Sequence, residues 1–446
     1  MKTLIKNCTI VNEGVNFIGS VLINQKIISN IYKSGESLPS ADKIIEADGL
    51  ILFPGLIDDQ VHFREPGNTH KGDIASESSS AVLGGVTSFM EMPNTNPPAT
   101  TLEILEEKYS IASKCSLSNY SFYLGGTNNN LNEILSANPN TICGIKLFMG
   151  SSTGNMLVDN LSSLEAIFEN SRMIIAVHCE EESTVQKNLR NAKEIYGDDI
   201  PINLHPIIRS REACIQSTSK AIELAKKHKS SLHILHISTK EEIELIREAS
   251  TTNPEITGEV CVHYLVFDDT FYDDMGAKIK CNPAIKSISD KEALIKAVKD
   301  GVIKVLATDH APHTKEEKER KYSDAPSGLP LIQHSFQIMW ELFLQGHFSM
   351  EDIADRMAHS PAERFGIDKR GYIRNGYYAD LILVDPNKKM QINSDNIYYK
   401  CGWSPFEGKC FNASVVHTFV NGTHTVAFGK LTGKRAGERL YFKHEK

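Results

Sequence analysis

The sequence predicts an eight-stranded (β/α)8 barrel of the TIM type carrying a small β-sandwich built from both chain ends. Three observations lead there. The middle of the 446-residue chain alternates apolar strand-like runs with helix-like stretches, which is the pattern of a parallel sheet. The runs number eight, the count of a closed barrel. Both ends are β-rich instead. An open doubly wound sheet would carry a Gly-rich phosphate turn after its first strand, and no GxGxxG follows any of these runs.

The N-terminal fifty residues supply short strands at Leu4–Val11, Gly19–Ile23, Lys26–Tyr32 and Lys43–Glu46. The eight central strands are expected at Leu56–His62, Val86–Met92, Tyr120–Leu124, Ile142–Phe148, Met173–His178, Leu232–Ile237, Thr257–Val262 and Ile303–Thr308. Helices are expected at Leu102–Lys114, Arg211–His228, Lys240–Ala249 and Lys291–Lys299. The C-terminal strands are Tyr377–Val384, Ser414–Val420 and His424–Phe428, the last two joined by Asn421-Gly422, a strong hairpin turn. The expected division is 1–53 and 370–446 for the two parts of the sandwich and 54–369 for the barrel.

Composition narrows the function class. The chain is 41% hydrophobic and 23% charged with net charge −8, and its pI is about 6.1. Nucleic-acid binding usually shows a basic patch or a high pI, so no nucleic-acid partner is expected. Met1–Cys8 lacks a signal-peptide h-region, and no run approaches the ~18 apolar residues of a membrane span. Nine cysteines without a CxxC pair read as scattered reduced thiols. A cytoplasmic protein acting on a small molecule is the expectation.

In such barrels chemistry sits at the C-terminal ends of the strands, and polar residues gather there. The first strand ends in Gln60-Val61-His62-Phe63-Arg64, the fifth in His178, the sixth in His236 and the eighth in Asp309, followed by His313. Strand alternation puts Gln60 and His62 on one face. A lone strand-end histidine is more often structural, but three histidines and an aspartate at four strand ends form a zinc donor set. Lys146 lies on the fourth strand. On the residues alone it reads first as a lysine snorkelling out of the barrel mouth. The other reading is a CO2-derived carbamate, anionic and able to bridge two metals.

The stretch Gly55-Leu56-Ile57-Asp58 through His62-Phe63-Arg64-Glu65-Pro66-Gly67, with Thr69-His70-Lys71, resembles the opening signature of dihydroorotases in the amidohydrolase superfamily. Met92-Pro93-Asn94-Thr95-Asn96-Pro97-Pro98 resembles their second signature and Thr308–His313 the closing one, with weaker matches at Asn282-Pro283 and Pro326–Leu329. The resemblance covers most of residues 50–370 and the β-rich ends. It implies that His62, Lys146 as carbamate, His178, His236 and Asp309 hold one or two zinc ions. Gly144–Met149 is similar to the carbamylated-lysine branch. It further implies that Arg64, Asn94, Asn282, His313 and the backbone near Gly328 hold the substrate, and that the protein is a homodimer.

The implied activity is the reversible cyclisation of N-carbamoyl-L-aspartate to (S)-dihydroorotate in pyrimidine biosynthesis. Zinc lowers the pKa of a bound water toward ~7 and polarises the ring carbonyl, while Asp309 shuttles the proton. Arg64 presents a planar fork to a carboxylate. On the residues alone, Arg64 also reads as a surface partner of Glu65 or Asp73, and Asn282 as a turn residue before Pro283.

The chain departs from the pattern at Gln60, where the family has the first histidine of His-x-His. A neutral amide oxygen is a poor zinc ligand, so either the first metal is labile and one zinc is held firmly, or Gln60 contributes an oxygen. Leu235 stands where some relatives have cysteine. Cys179 reads as a core thiol. Glu259 is a candidate to back the metal ligands, or else a partner of a nearby Lys or Arg. The polar segments Asn128–Asn130 and Lys315–Asp324 read as solvated loops, with mobile lids as the other reading. Two rival readings remain: an allantoinase or hydantoinase, whose substrates lack the carboxylate, and a non-catalytic scaffold for aspartate carbamoyltransferase, supported by Gln60 alone.

Overall fold

The computed structural model describes residues 1–150 and 156–443. Eight parallel strands form the centre: β1 (Leu56–Val61), β2 (Val86–Glu91), β3 (Asn119–Phe122, resuming at Leu124–Gly125), β4 (Ile145–Phe148), β5 (Ile175–His178), β6 (Leu232–Ile234), β7 (Ile256–Cys261) and β8 (Val305–Ala307). Each pairs with the next in parallel register. The ring closes where Val61 bridges His310, with His62 N–H donating to the His310 carbonyl at 2.7 Å. All eight predicted strands are present, most of them shorter than predicted.

The helices follow from local signals. Arg211–His228 starts where the Ser210 hydroxyl accepts from Ala213 N–H and ends in Lys226, Lys227 and His228 before a left-handed Lys229, cations that complement the helix dipole. Lys240–Thr252 opens on a reciprocal capping box between Thr239 and Glu242. The barrel interior is packed rather than open. Ile57, Met90, Tyr123, Ile174, Ala176 and Leu235 share one apolar cluster with Phe365, which closes the floor.

The two chain ends join in one nine-stranded sheet. Leu381–Asp385 pairs antiparallel with Ile51–Pro54, which pairs parallel with Lys2–Asn12. Ile5, Ile10, Val21, Leu381, Leu383 and Phe419 fill a single core within it. The Asn421-Gly422 hairpin is present, with both residues at positive φ (49° and 69°). A Cβ on Gly422 would lie 1.9 Å from the Gln25 carbonyl oxygen, so the tip fits closely against the other hairpin. Buried Asp380 stitches sheet to barrel by accepting from Arg370, Asn119 and the Asn421 backbone.

Two features set the site. First, β1 advances three residues from Asp58 to Val61 while β2 advances two, from Phe89 to Glu91. This is a β-bulge, which re-aims side chains. It lets Asp59 and Gln60 both reach interior partners, where regular alternation would turn one away. Second, Lys108 and Glu91 form a fully buried ion pair at 3.0 Å. Lys108 also donates to the Met92 carbonyl, and Glu91 accepts from Phe63 N–H, so the pair clamps the ends of β1 and β2 together.

Removing one member of such a pair leaves an uncompensated buried charge. Lys108→Met is expected to lower the unfolding free energy by about 3–5 kcal/mol, and Lys108→Met with Glu91→Gln to recover at least half of that. Denaturant titration measures both; equal losses in the single and double variants would contradict the clamp.

Candidate active site

One cavity at the C-terminal mouth of the barrel is lined by Gln60, His62, Lys146, His178, His236 and Asp309, with Asn282, Ser327 and Gly328 on the opposite wall. The five candidate metal donors thus converge from β1, β4, β5, β6 and β8. Arg64, Asn94 and His313 do not line it; they stand behind it. A larger cavity of about 540 Å³, lined by Ile200, Met275, Tyr322 and Trp403 among others, contains none of the donors.

Hydrogen bonding fixes the donors' states. The Asn94 side-chain oxygen lies 2.8 Å from His62 Nδ1. An amide oxygen only accepts, so Nδ1 carries the proton and Nε2 presents a lone pair. Nε2 in turn lies 3.1 Å from Asp309 Oδ1. Burial lowers the His62 pKa despite the nearby carboxylate, so the ring is neutral. The low Asp309 pKa, about 2 against the push of burial, belongs to His62 as an imidazolium donating from Nε2. With the ring neutral, a lone pair and a carboxylate oxygen face each other, an arrangement a cation resolves.

His178 Nδ1 and His236 Nε2 are 3.0 Å apart. His178 Nε2 lies 3.1 Å from Glu180 Oε2 outside hydrogen-bond geometry, and His236 Nδ1 is buried without a hydrogen-bond partner. Burial pushes both rings below the usual imidazole pKa. His236 sits at φ 39°. Strained backbone of this kind concentrates at functional sites. Lys146 is buried, its Nζ 4.6 Å from the centre of the Phe148 ring. Burial lowers its pKa to about 7, which leaves much of it as free amine at neutral pH, the form that adds CO2. It does not snorkel outward. Neutral imidazoles with unused lone pairs, an ionised carboxylate and a lysine able to become a carbamate fit a zinc centre.

Gln60 is turned the other way. Its amide N–H donates to Asp309 Oδ1 at 3.3 Å, and its oxygen accepts from Cys261 Sγ at 3.6 Å. It acts as a hydrogen-bond donor to Asp309, a candidate metal donor, rather than presenting a lone pair to the cavity.

Beside the cavity lies a cationic cluster. Arg64 donates through Nε to the Pro312 carbonyl (3.1 Å) and through Nη2 to His313 Nε2 (3.0 Å); it does not pair with Glu65 or Asp73. Burial lowers its pKa to about 10, so it stays charged. Lys71 Nζ is 3.0 Å from His313 Nδ1. Lys71 also pairs with Glu317 at 3.1 Å, and the Ser327 carbonyl lies 3.0 Å from His313 Nε2, so Lys71 is neutralised and Arg64 is the cation of this group without a carboxylate partner. Asn282 accepts from Ser327 Oγ at 3.0 Å. Gly328, at φ 143°, leaves no room for a Cβ, which would lie 2.4 Å from the Ala311 carbonyl oxygen.

Several residues that build the site were not assigned from sequence. Lys318, read as part of a solvated loop, is buried, and its Nζ donates to the carbonyls of Lys280, Pro326 and Gly328, fixing the wall. Asn130 likewise is tied to the Thr100 and Gly125 carbonyls. Glu180 holds His178 Nε2 at 3.1 Å and pairs with Arg209. Its place two residues after a strand-end histidine was the available signal. His263, just past β7, is fully buried with no hydrogen bond to either ring nitrogen. It feels the charge of Asp309, yet burial lowers its pKa to about 4. As a further histidine at a strand end, it was equally legible. Glu259 pairs with histidine rather than with Lys or Arg, and Cys179 is a core thiol.

The amidohydrolase family matches residues 51–424. The chain is 32% identical to the dihydroorotase of Enterococcus faecalis, covering 95% of this chain and 98% of the relative. It is 31% identical to that of Methanosphaera stadtmanae, covering 94% and 95%. Its structure is similar to L-hydantoinase (dihydropyrimidinase) from Arthrobacter aurescens, with a TM-score of 0.92 at 25% identity, covering 98% of this chain and 99% of that one. It is also similar to dihydropyrimidinase from Brevibacillus agri NCHU1002, with a TM-score of 0.90 at 25% identity and full coverage of both. No helix among the described residues is long and apolar enough to cross a membrane.

The Glu180 pKa is lowered to about 2: burial opposes this, and Arg209 and then His178 outweigh it. A depressed carboxylate stabilises the fold above its unfolded pKa and loses that contribution as pH falls through its folded one. The stability advantage of metal-free wild type over Glu180→Gln is therefore expected to shrink by about 2–3 kcal/mol between pH 6 and pH 2.5. Chemical denaturation at each pH checks it; a pH-independent difference would contradict the assignment.

Proposed function

We propose that this chain, which belongs to the amidohydrolase family, is a zinc-dependent dihydroorotase interconverting N-carbamoyl-L-aspartate and dihydroorotate. The observation that carries the reading is buried Arg64, charged and without a carboxylate partner, beside the zinc-type donor set. It suits a substrate that brings its own carboxylate to a site of amide hydrolysis. The dihydroorotase relatives support it.

Zinc held by His62, carbamylated Lys146, His178, His236 and Asp309 would make a water acidic enough to react at neutral pH and polarise the ring carbonyl. Asp309, ionised and fixed by Gln60, accepts the proton of the attacking water and returns it to the leaving ring nitrogen. The reverse sequence closes the ring. Asn94 keeps His62 in the tautomer with its Nε2 lone pair inward. Arg64 spends only two of its five N–H donors inside the protein, leaving others for the substrate α-carboxylate. Asn282 and the Gly328 backbone, backed by Lys318, bound the ring.

A hydantoinase-type activity is the second reading, favoured by the structural similarity to hydantoinases. A hydantoin ring carries no carboxylate, so it would leave Arg64 without an anion.

The test is turnover of dihydroorotate, with allantoin and hydantoin in parallel, before and after zinc and bicarbonate are supplied. Dihydroorotate turnover that depends on both is expected; its absence under every condition would overturn the reading. Because Gln60 offers no lone pair inward, wild type is expected to keep about one zinc at the cavity donors through dialysis against a chelator, and Gln60→His about two there, as located by anomalous scattering from crystals of each. Two zinc ions at the cavity donors of wild type would contradict the role given to Gln60.

A further inference from the structure

Deeper in the barrel, apart from the donors that line the cavity, Asp59 of the β1 bulge, His233 of β6 and Glu259 of β7 converge. All three are fully buried. His233 Nε2 lies 3.3 Å from Asp59 Oδ2 and 3.3 Å from Glu259 Oε2. One potential ligand atom from each residue lies within 4.8 Å of the others.

The proton count does not balance. His233 Nδ1 is 2.8 Å from Thr257 Oγ1, and the Thr257 hydroxyl reaches the Leu232 carbonyl at 3.4 Å. With the hydroxyl proton on Leu232, Thr257 accepts from Nδ1–H, and Nε2 turns a lone pair toward two carboxylates. The opposite tautomer gives only one N–H, and that one has hydrogen-bond geometry to Glu259 alone. Glu259 Oε1 additionally accepts from His236 N–H at 3.3 Å. In either tautomer, neither oxygen of Asp59 has a hydrogen-bond partner. A buried carboxylate that accepts no hydrogen bond and stands against a second carboxyl costs several kcal/mol.

We propose that Asp59, His233 and Glu259 form a divalent-cation site inside the barrel, separate from the catalytic donor set. One imidazole and two carboxylates suit Zn2+ or Mn2+. The Nδ1–H contact to Thr257 is the kind of outer partner that orients a metal-bound histidine and fixes its tautomer. The ion would tie β1, β6 and β7 together. Through Glu259 it would also fix the backbone of His236, whose φ is 39°. The proposal does not depend on which ring amide the enzyme hydrolyses.

The deciding experiment is anomalous scattering from crystals of the full chain grown with zinc chloride or manganese chloride. The expected result is a peak about 2.0–2.2 Å from His233 Nε2 and from an Asp59 oxygen. A map with no peak there under either metal overturns the proposal, leaving a proton shared between the two carboxyls. Metal content gives an independent reading. His178→Ala with His236→Ala, which removes cavity donors, should retain about one zinc per chain, and adding Asp59→Asn, a change of equal volume, should abolish it. Zinc content that is nil in the double variant, or unchanged by Asp59→Asn, overturns the proposal. If a variant fails to fold, the map of the wild-type crystals decides.

Discussion

Everything at the mouth of this barrel depends on how buried charge is neutralised. Closing eight strands into a packed ring puts strand-end side chains in a dry interior, where a carboxylate must find a cation or a donor. Most do. Glu91 has Lys108, Glu180 has Arg209, Glu77 has His310 and Asp380 has Arg370. Asp58 accepts from the backbone and hydroxyl of Thr308. These pairs are structural, and each joins elements distant in sequence. Buried polarity stays unbalanced elsewhere in the chain too, at Gln337 and Trp340 for instance, but at the barrel it gathers at His62 against Asp309, at His236 Nδ1, at His263 and at Asp59. Unbalanced buried polarity is costly, and this group is the one that metal chemistry could use.

The barrel was legible because its signals are local and repeated. Arg211–His228 is found to the residue, with its cap and basic last turn both written in sequence. All eight strands are found, because each is a short apolar run. Strand ends are less legible: Tyr377–Val384 begins only at Leu381, since Ala379 and Tyr378 hydrogen-bond to Lys26 and Lys369 outside the ladder. The candidate donors that share one cavity could be read because strand ends are the places where a barrel does chemistry. The bulge in β1 could not, since alternation assumes a regular strand, and with it went Asp59 and its partner His233. Asn94 was read as a substrate ligand from its motif. Its carbonyl is spent on His62, a contact between strands that no local pattern encodes. Lys318 was missed for a related reason: its charged sequence neighbourhood reads as solvent-facing, while three backbone carbonyls draw it inward.

The sequence relatives are dihydroorotases and the structural matches are hydantoinases. The two findings are compatible, because fold and donor set are shared by enzymes that open different rings, and substrate choice lies in a few anchoring groups. In the proposed reading the group that separates them is Arg64. A site built to pair a substrate group discriminates strongly against the analogue lacking it, because its own buried donors are then left unpaired. The central claim is thus that Arg64, more than the barrel or the metal, sets the activity.

The most direct measurement compares kcat/KM for dihydroorotate with that for dihydrouracil, the same ring without the carboxylate, on zinc-loaded protein. The account predicts a preference for dihydroorotate of about 10⁴-fold, falling by at least tenfold in Arg64→Met. Comparable turnover of the two rings, or a preference untouched by Arg64→Met, would contradict it.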